Sequence, residues 1–217
     1  MRRVAVCLHG FLRTGAAMWW VARRLKADGY ASVQMPTFGY HLAPLATHAE
    51  RTAALLALVA SRHPGARIDL VTHSYGGVLA RAALARPEAP AVGRIVMLAP
   101  PNRGARWAEM VRAALPVHRM GWDPLAQVLP GVPGRHGVPP AEIGVLAGGT
   151  GDAKGFNPWL GADNDGTVRV DETLLDGAAA HRVLRVHHSM MPIAPQPLGL
   201  ALRFLARGDF VDSPSTK

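Results

Sequence analysis

Short, strongly apolar segments alternate along the chain with longer segments in which apolar residues recur at helical spacing. The short segments are rich in Val, Ile and Leu and stop at glycine, proline or polar residues, which is typical of buried β-strands. They predict six strands, over residues 4–8, 30–35, 66–72, 92–99, 141–149 and 181–187. The longer segments predict helices over residues 14–28, 45–62, 76–85 and 198–207.

This alternation of strands and helices predicts an α/β protein with a mostly parallel sheet. Several strands are apolar at consecutive positions, so both of their faces are expected to be buried under helices. The 217 residues suffice for one compact domain with a sizeable core. We therefore expect residues 1–210 to form a single domain and residues 211–217 to form a disordered tail.

One region departs from the alternation. Residues 101–140, between the fourth and fifth predicted strands, contain seven prolines and five glycines. The segment 106–116 within this region has apolar residues at helical spacing, and Trp107, Val111 and Leu115 lie on its apolar stripe. Two interpretations stay open for this helix: it packs on the sheet as an ordinary flanking helix, or it forms a small lid.

Charge narrows the range of partners. The formal net charge is +9, all but three of the 24 basic residues are arginines, and aromatic residues make up only 6% of the chain. The arginines are scattered, whereas nucleic-acid interfaces cluster basic residues and interleave them with aromatics. We therefore predict no nucleic-acid partner. Attraction to an acidic substrate or to an anionic membrane surface stays open.

Location and cofactors are constrained by what the sequence lacks. No apolar run approaches the roughly 18 residues of a membrane span, and the segment MRRVAVCLHGF lacks the long apolar core of a signal peptide. We expect a cytoplasmic protein without stable membrane insertion. Cys7 is the only cysteine, which excludes an internal disulfide, and no His/Asp cluster has the spacing of a zinc site, so no metal is predicted.

The segment VTHSYGG, residues 71–77, is the strongest candidate for chemistry. It lies between a predicted strand and a predicted helix and nearly matches the G-x-S-x-G pattern of a nucleophilic serine on a sharp strand-to-helix turn. Such a turn needs small residues two positions before and after Ser74, because the strand and the helix nearly touch there. Gly76 meets this need, while Thr72 stands where the first glycine is expected. Thr is small and favours strand geometry, so the departure is tolerable.

A nucleophilic serine needs a base and a carboxylate that orients the base. For the carboxylate, Asp165 in the turn DNDGTV competes with Asp152, which follows the fifth predicted strand more closely. For the base, His187 and His188 are adjacent near the end of the sixth predicted strand, so both cannot face the serine. We favour Asp165 and His188.

Two backbone N–H groups are candidates for an oxyanion hole, which stabilises the negative charge of a tetrahedral intermediate. The segment LHGF after the first strand can bring the N–H of Phe11 beside that of Tyr75, which follows the serine. Both groups would then donate to the same oxygen.

The motifs HGF, THSYGG, LAPPNRGA, DNDGTV and a final HS follow one another in this order along nearly the whole chain. With them, the sequence resembles the α/β-hydrolase superfamily, in particular small bacterial serine esterases and lipases. The resemblance implies a minimal three-layer α/β-hydrolase fold and hydrolysis of acyl esters without a cofactor. It also implies that Ser74 is the nucleophile, Asp165 the acid and His188 the base.

The resemblance also bears on the proline-rich region, because hydrolases of this fold place a cap after the fourth strand. As a cap, its helix would line an acyl-binding pocket with Trp107, Val111 and Leu115. The same parts serve thioester and amide hydrolysis, so the leaving group stays open. A non-catalytic ligand-binding protein on the same fold is the alternative of a different class.

Overall fold

The structure is a computed structural model that describes residues 1–39, 42–115 and 123–211. Within these residues, six β-strands occupy the six apolar segments: β1 (Arg3–Leu8), β2 (Ser32–Gln34), β3 (Arg67–His73), β4 (Arg94–Leu98), β5 (Glu142–Gly148) and β6 (Ala180–Leu184). Five α-helices lie between or after them: α1 (Trp19–Ala27), α2 (Leu45–Arg62), α3 (Tyr75–Leu84), α4 (Arg106–Ala114) and α5 (Pro195–Arg207). The predicted alternation is confirmed.

The six strands form one sheet in the order β2-β1-β3-β4-β5-β6, and every pairing between neighbours is parallel. The register aligns the carboxyl ends of the central strands: Leu8 of β1 pairs with Thr72 of β3, and His73 of β3 pairs with Leu98 of β4. The loops that follow these strands therefore meet at one edge of the sheet, where open α/β sheets place their ligand sites.

Helices cover both faces of the sheet because the central strands are apolar on both sides. In β1, Val4, Val6 and Leu8 belong to the core on one face and Ala5 and Cys7 to the core on the other. The first face packs against α2 and α3, and the second packs against α1 and α5. The predicted three-layer arrangement is therefore confirmed. Burial raises the pKa of the Cys7 thiol to about 12, so this cysteine is a neutral core residue.

The last strand is shorter than predicted. The sequence predicted residues 181–187, but β6 ends at Leu184, and the N–H of Val186 turns back to the Leu184 carbonyl (2.8 Å). β6 is an edge strand with only β5 beside it, so the apolar pattern does not mark where the pairing stops. The early end places both His187 and His188 in the loop beyond the sheet.

The proline-rich residues 101–140 leave the sheet after β4 and return to it at β5. In the described part of this region, α4 and the turns that follow it pack against the same core as α2 and α3. Arg81 of α3 is buried and donates to the carbonyls of Asn102 (3.2 Å) and Gly137 (3.1 Å). Polar backbone contacts therefore join the region to α3 in addition to apolar packing. Residues 116–122 lie outside the described residues.

Within the described residues, no helix is both long and apolar enough to cross a bilayer. The same part of the chain holds no group of three or more His, Cys, Asp and Glu side chains arranged to bind a metal ion. The expected disordered tail, residues 211–217, falls outside the described residues except for Val211.

Candidate active site

Ser74 lies on a sharp turn between β3 and α3. Its backbone has a φ of 54° and a ψ of −125°, a conformation that costs a residue with a side chain about 1–3 kcal/mol. Hydrogen bonds hold the turn: the Ser74 N–H donates to the Leu98 carbonyl of β4 (2.8 Å), and the Gly77 N–H donates to the Ser74 carbonyl (2.9 Å). A strained serine therefore stands at the carboxyl edge of the sheet.

The turn is compact enough to require small residues around Ser74. A Cβ atom on Gly76 would lie 2.4 Å from the Leu8 carbonyl oxygen of β1, and a Cβ atom on Gly10 would lie 3.1 Å from the Ser74 Cβ. Thr72 is fully buried, and its hydroxyl has no hydrogen-bond partner among the described residues. The turn therefore accommodates the volume of Thr72 without using its hydroxyl.

Asp165 and His188 form a buried hydrogen-bonded pair at the same edge. Asp165 Oδ2 lies 2.6 Å from His188 Nδ1, and both residues are buried. The other carboxylate oxygen accepts hydrogen bonds from the backbone N–H groups of Thr167 (3.0 Å) and Val168 (2.7 Å). Because an ionised carboxylate only accepts, Nδ1 of the imidazole carries the proton, which leaves Nε2 as the basic nitrogen.

The loop backbone reinforces this pair. The His188 N–H donates to the Asp165 carbonyl (2.8 Å), and the His188 carbonyl lies 3.0 Å from His73 Nε2. Burial, together with the neighbouring His188, lowers the pKa of His73 well below its usual range. His73 is therefore a neutral ring whose Nε2–H donates to the His188 carbonyl and holds the loop beside the turn.

The rival acid and base lie elsewhere. Asp152 is in an exposed turn, where it accepts hydrogen bonds from two backbone N–H groups of the same turn (2.8 and 3.1 Å). His187 is exposed, and its ring packs edge-on against Phe156 with 5.6 Å between the ring centroids. Of the alternatives that the sequence leaves open, the geometry favours Asp165 and His188.

A cavity of about 390 Å³ opens at this edge of the sheet, and both Ser74 and His188 line it. Its volume falls within the range of small-molecule sites. Most of the remaining wall is apolar and includes Phe11, Leu12, Tyr75, Pro101, Ala105, Trp107, Val128 and Val168. Neither Asp152 nor His187 is among the described residues of the wall. The cavity is therefore a mostly apolar site that a strained serine and a histidine also line.

The two residues predicted to form an oxyanion hole reach this cavity. Phe11 and Tyr75 both line it, and their rings meet edge to face with 6.0 Å between centroids. The Tyr75 hydroxyl donates to Gln127 Oε1 (3.0 Å), which anchors the ring. The loop after β1 and the start of α3 thus converge at Ser74.

Of the three predicted substrate contacts, the structure brings one to the described part of the cavity wall. Trp107, in the first turn of α4, lines the cavity. Val111 lies one turn further on and packs against the core of the sheet, and Leu115 lies beyond the end of α4 and is 55% exposed. Helical spacing grouped the three residues on one stripe, but only the start of α4 lies beside the cavity.

Three polar residues of the wall were not predicted from the sequence: Arg13, Thr167 and Ser189. Each follows a predicted site residue by one or two positions. Their closeness to the motifs was the signal that could have found them.

Solved structures of lipases and esterases share this fold. The mature lipase BlEst2 from Bacillus licheniformis is similar to this chain with a TM-score of 0.77 and 19% identity, over 95% of this chain and 92% of that chain. Aspergillus fumigatus lipase B gives a TM-score of 0.70 and 13% identity, over 98% and 55%. The metagenomic carboxyl esterase MGS0156 gives 0.59 and 19%, over 86% and 64%. No family model and no curated protein matches the sequence.

The chain therefore has the α/β-hydrolase fold, as the resemblance of its motifs implied. Identities of 13% to 19% bear on the fold and not on the reaction. One fold hosts many functions, so the activity has to be argued from the site itself.

Proposed function

We propose that this protein is a serine hydrolase that cleaves carboxylic esters through an acyl-serine intermediate. Ser74 is the nucleophile, His188 the base, and Asp165 the carboxylate that orients the base. The observation that carries the proposal is the buried Asp165–His188 hydrogen bond of 2.6 Å beside the cavity that the strained Ser74 also lines. A positioned serine, a base with a fixed tautomer and an apolar cavity are the parts that acyl transfer needs.

In the first half-reaction, Ser74 Oγ attacks the ester carbonyl carbon while His188 Nε2 takes the hydroxyl proton. The Asp165 carboxylate, itself fixed by two backbone N–H groups, stabilises the imidazolium that forms. The backbone N–H groups of Phe11 and Tyr75 stabilise the developing oxyanion. His188 then gives its proton to the alcohol oxygen as the C–O bond breaks, which leaves the acyl group on Ser74.

The second half-reaction repeats these roles with water. His188 Nε2 takes a proton from a water molecule, whose oxygen attacks the acyl-serine carbonyl carbon. When the Ser74 ester bond breaks, the proton returns to Ser74 Oγ and the carboxylic acid leaves. The apolar wall, with Trp107 and Val168, holds the acyl chain during both steps.

Hydrolysis of thioesters or amides would use the same groups, with sulfur or nitrogen as the leaving atom. A ligand-binding protein without turnover is the second candidate function. The strain at Ser74 and the burial of the Asp165–His188 pair both cost free energy, and a binding site has no need of either. These two features favour the enzyme.

The test is a screen of esters and thioesters of graded acyl length with the wild type, Ser74→Ala and Ser189→Ala. Ser189 is the matched control, because it lines the same cavity but lies outside the strained turn. Ser74→Ala should lower kcat by a factor on the order of 10⁶, while Ser189→Ala keeps most of the activity. Full activity in Ser74→Ala would refute the proposal. Binding of the substrates by wild type without any turnover would support the binding protein instead.

A further inference from the structure

The cavity wall carries a positive charge that the proposed chemistry does not use. Arg13 lines the cavity together with Ser74 and His188. It is exposed, and among the described residues it has no hydrogen bond or ion pair. By contrast, Arg67 and Arg94 at the opposite edge of the sheet both have carboxylate partners.

Arg13 is also the only permanently charged side chain among the described residues of the wall. Asp165, the carboxylate of the proposed site, is fully buried and accepts three hydrogen bonds already. Burial and the neighbouring His188 lower the pKa of His73, and the positive charge of Arg13 lowers it further. The charge of Arg13 therefore acts within the site. Among its described residues, the wall therefore carries one permanent positive charge and no carboxylate.

The backbone that carries Arg13 is fixed on both sides. Before it, Leu12 has a φ of 53°, which a residue with a side chain adopts only when its surroundings impose it. After it, the Gly15 N–H donates to Thr37 Oγ1 (2.8 Å), and a Cβ atom at Gly15 would lie 2.1 Å from the Met35 carbonyl oxygen. The loop after β1 therefore holds the backbone of Arg13 in a defined position, two residues after Phe11.

We infer that Arg13 binds an anionic group of the substrate, so that the preferred substrates are esters carrying a carboxylate or phosphate near the scissile bond. A guanidinium group pairs with both anions through two parallel hydrogen bonds. The net charge of +9 adds long-range attraction for the same ligands. The inference rests on the proposed function for the identity of the ester.

The first test measures binding without turnover, in a Ser74→Ala background. Calorimetry compares mono-4-nitrophenyl glutarate with 4-nitrophenyl pentanoate, which has the same acyl length and no carboxylate. Dihexanoyl phosphatidate and dihexanoylglycerol form the second pair, which reports on phosphate. Arg13→Gln should reduce the preference for the anionic member of at least one pair about tenfold, or about 1.4 kcal/mol. Arg13→Lys should keep part of that preference, because lysine keeps the charge but cannot donate the two parallel hydrogen bonds of a guanidinium group.

The matched control is Arg24→Gln, which removes the same charge from an exposed position of α1 outside the cavity. It should leave both preferences unchanged. An equal loss in Arg24→Gln would assign the preference to net charge and overturn the inference, as would an unchanged preference in Arg13→Gln. With Ser74 restored, the ratio of kcat/KM for the glutarate and pentanoate esters should fall about tenfold in Arg13→Gln, through KM. If wild type binds the anionic esters selectively but cleaves none, the proposed function fails and the role of Arg13 stands.

Discussion

Two fully buried aspartates lie at opposite edges of the same sheet. Asp69 is in β3 near its amino end, and its carboxylate accepts from the Tyr30 hydroxyl (2.6 Å), the Arg67 guanidinium (2.8 Å) and the Arg94 backbone N–H (2.9 Å). Asp165 follows β5 at the carboxyl edge, and its partners are two backbone N–H groups and the His188 ring. The two carboxylates are alike in burial and in the number of groups that donate to them.

The difference lies in the partner that balances the charge. Arg67 is a permanent cation, and it also donates to the Leu205 carbonyl at the end of α5, which closes the network around Asp69. His188 is titratable, and its ring reaches a cavity. A buried carboxylate beside a permanent cation serves the fold, whereas one beside a titratable ring at a cavity serves proton transfer.

The largest effect is expected from Asp165→Asn. The amide oxygen can still accept from the two backbone N–H groups, so the free energy of unfolding should change little. The amide N–H₂, however, would donate to His188 Nδ1 and leave the proton on Nε2, where it prevents the ring from accepting the Ser74 proton. We expect kcat to fall by a factor on the order of 10⁴, measured on the ester that wild type cleaves fastest.

Asp152→Asn and His187→Ala are the matched controls for this prediction, because they replace the rival acid and base that lie in exposed loops. Each should lower kcat less than tenfold in a folded protein. A severe loss of kcat in either control, combined with nearly full activity in Asp165→Asn, would assign the catalytic role to Asp152 or His187. Asp165 would then not be a catalytic residue, and its contrast with Asp69 would be wrong.

Asp69→Asn should have the opposite profile. The substitution leaves the half-buried Arg67 without its carboxylate, and breaking a buried ion pair costs about 3 kcal/mol or more. We expect this loss in urea unfolding, with kcat of the folded variant within about twofold of wild type. Asp28→Asn, which breaks the more exposed pair with Arg3, should cost about 1 kcal/mol or less. A large loss of kcat in folded Asp69→Asn would contradict the assignment of Asp69 to stability and of Asp165 to catalysis.

Thr72 lies in β3 between Asp69 and Ser74 and gives the smallest expected effects. Its buried hydroxyl lacks a partner among the described residues, and its Oγ1 would lie 3.4 Å from a Cβ atom on Gly77 of α3. Thr72→Val should therefore be neutral or stabilising by about 1 kcal/mol. Thr72→Leu should overpack the turn, cost about 1–3 kcal/mol and lower kcat roughly a hundredfold if Ser74 moves by about 1 Å.

Thermal unfolding and kcat across Gly, Ala, Ser, Val and Leu at position 72 measure this effect. A series that sorts by volume supports the packing account. Tolerance of Ser together with damage by Ala and Val would show that the hydroxyl supports the turn.

Much of the fold and of the candidate site could be predicted because the signals are local. Strand segments such as Val4–Leu8 owe their burial to apolar residues at consecutive positions, and the turn at Ser74 needs small neighbours within two residues. The loops that follow parallel strands meet at one edge of the sheet, so the order of the motifs was enough to bring Asp165 and His188 near Ser74 as candidates.

What could not be predicted depends on packing between distant segments. Helical spacing placed Val111 and Leu115 on one stripe with Trp107, but the angle at which α4 meets the sheet decides which turn reaches the cavity. The end of β6 depends on pairing with β5 and not on its own apolar pattern. Arg13 has no pattern of its own, because its place in the wall results from the path of the loop after β1.

Covalent labelling with a fluorophosphonate tests the central claim most directly, because this probe reacts with a serine that a neighbouring base activates. Peptide mapping by mass spectrometry should locate one adduct on Ser74 in wild type and none in Ser74→Ala. Labelling should be slowed by orders of magnitude in Asp165→Asn and unchanged in Asp69→Asn. Native protein that stays unlabelled at Ser74, or that is labelled equally well in Asp165→Asn and wild type, would contradict the account.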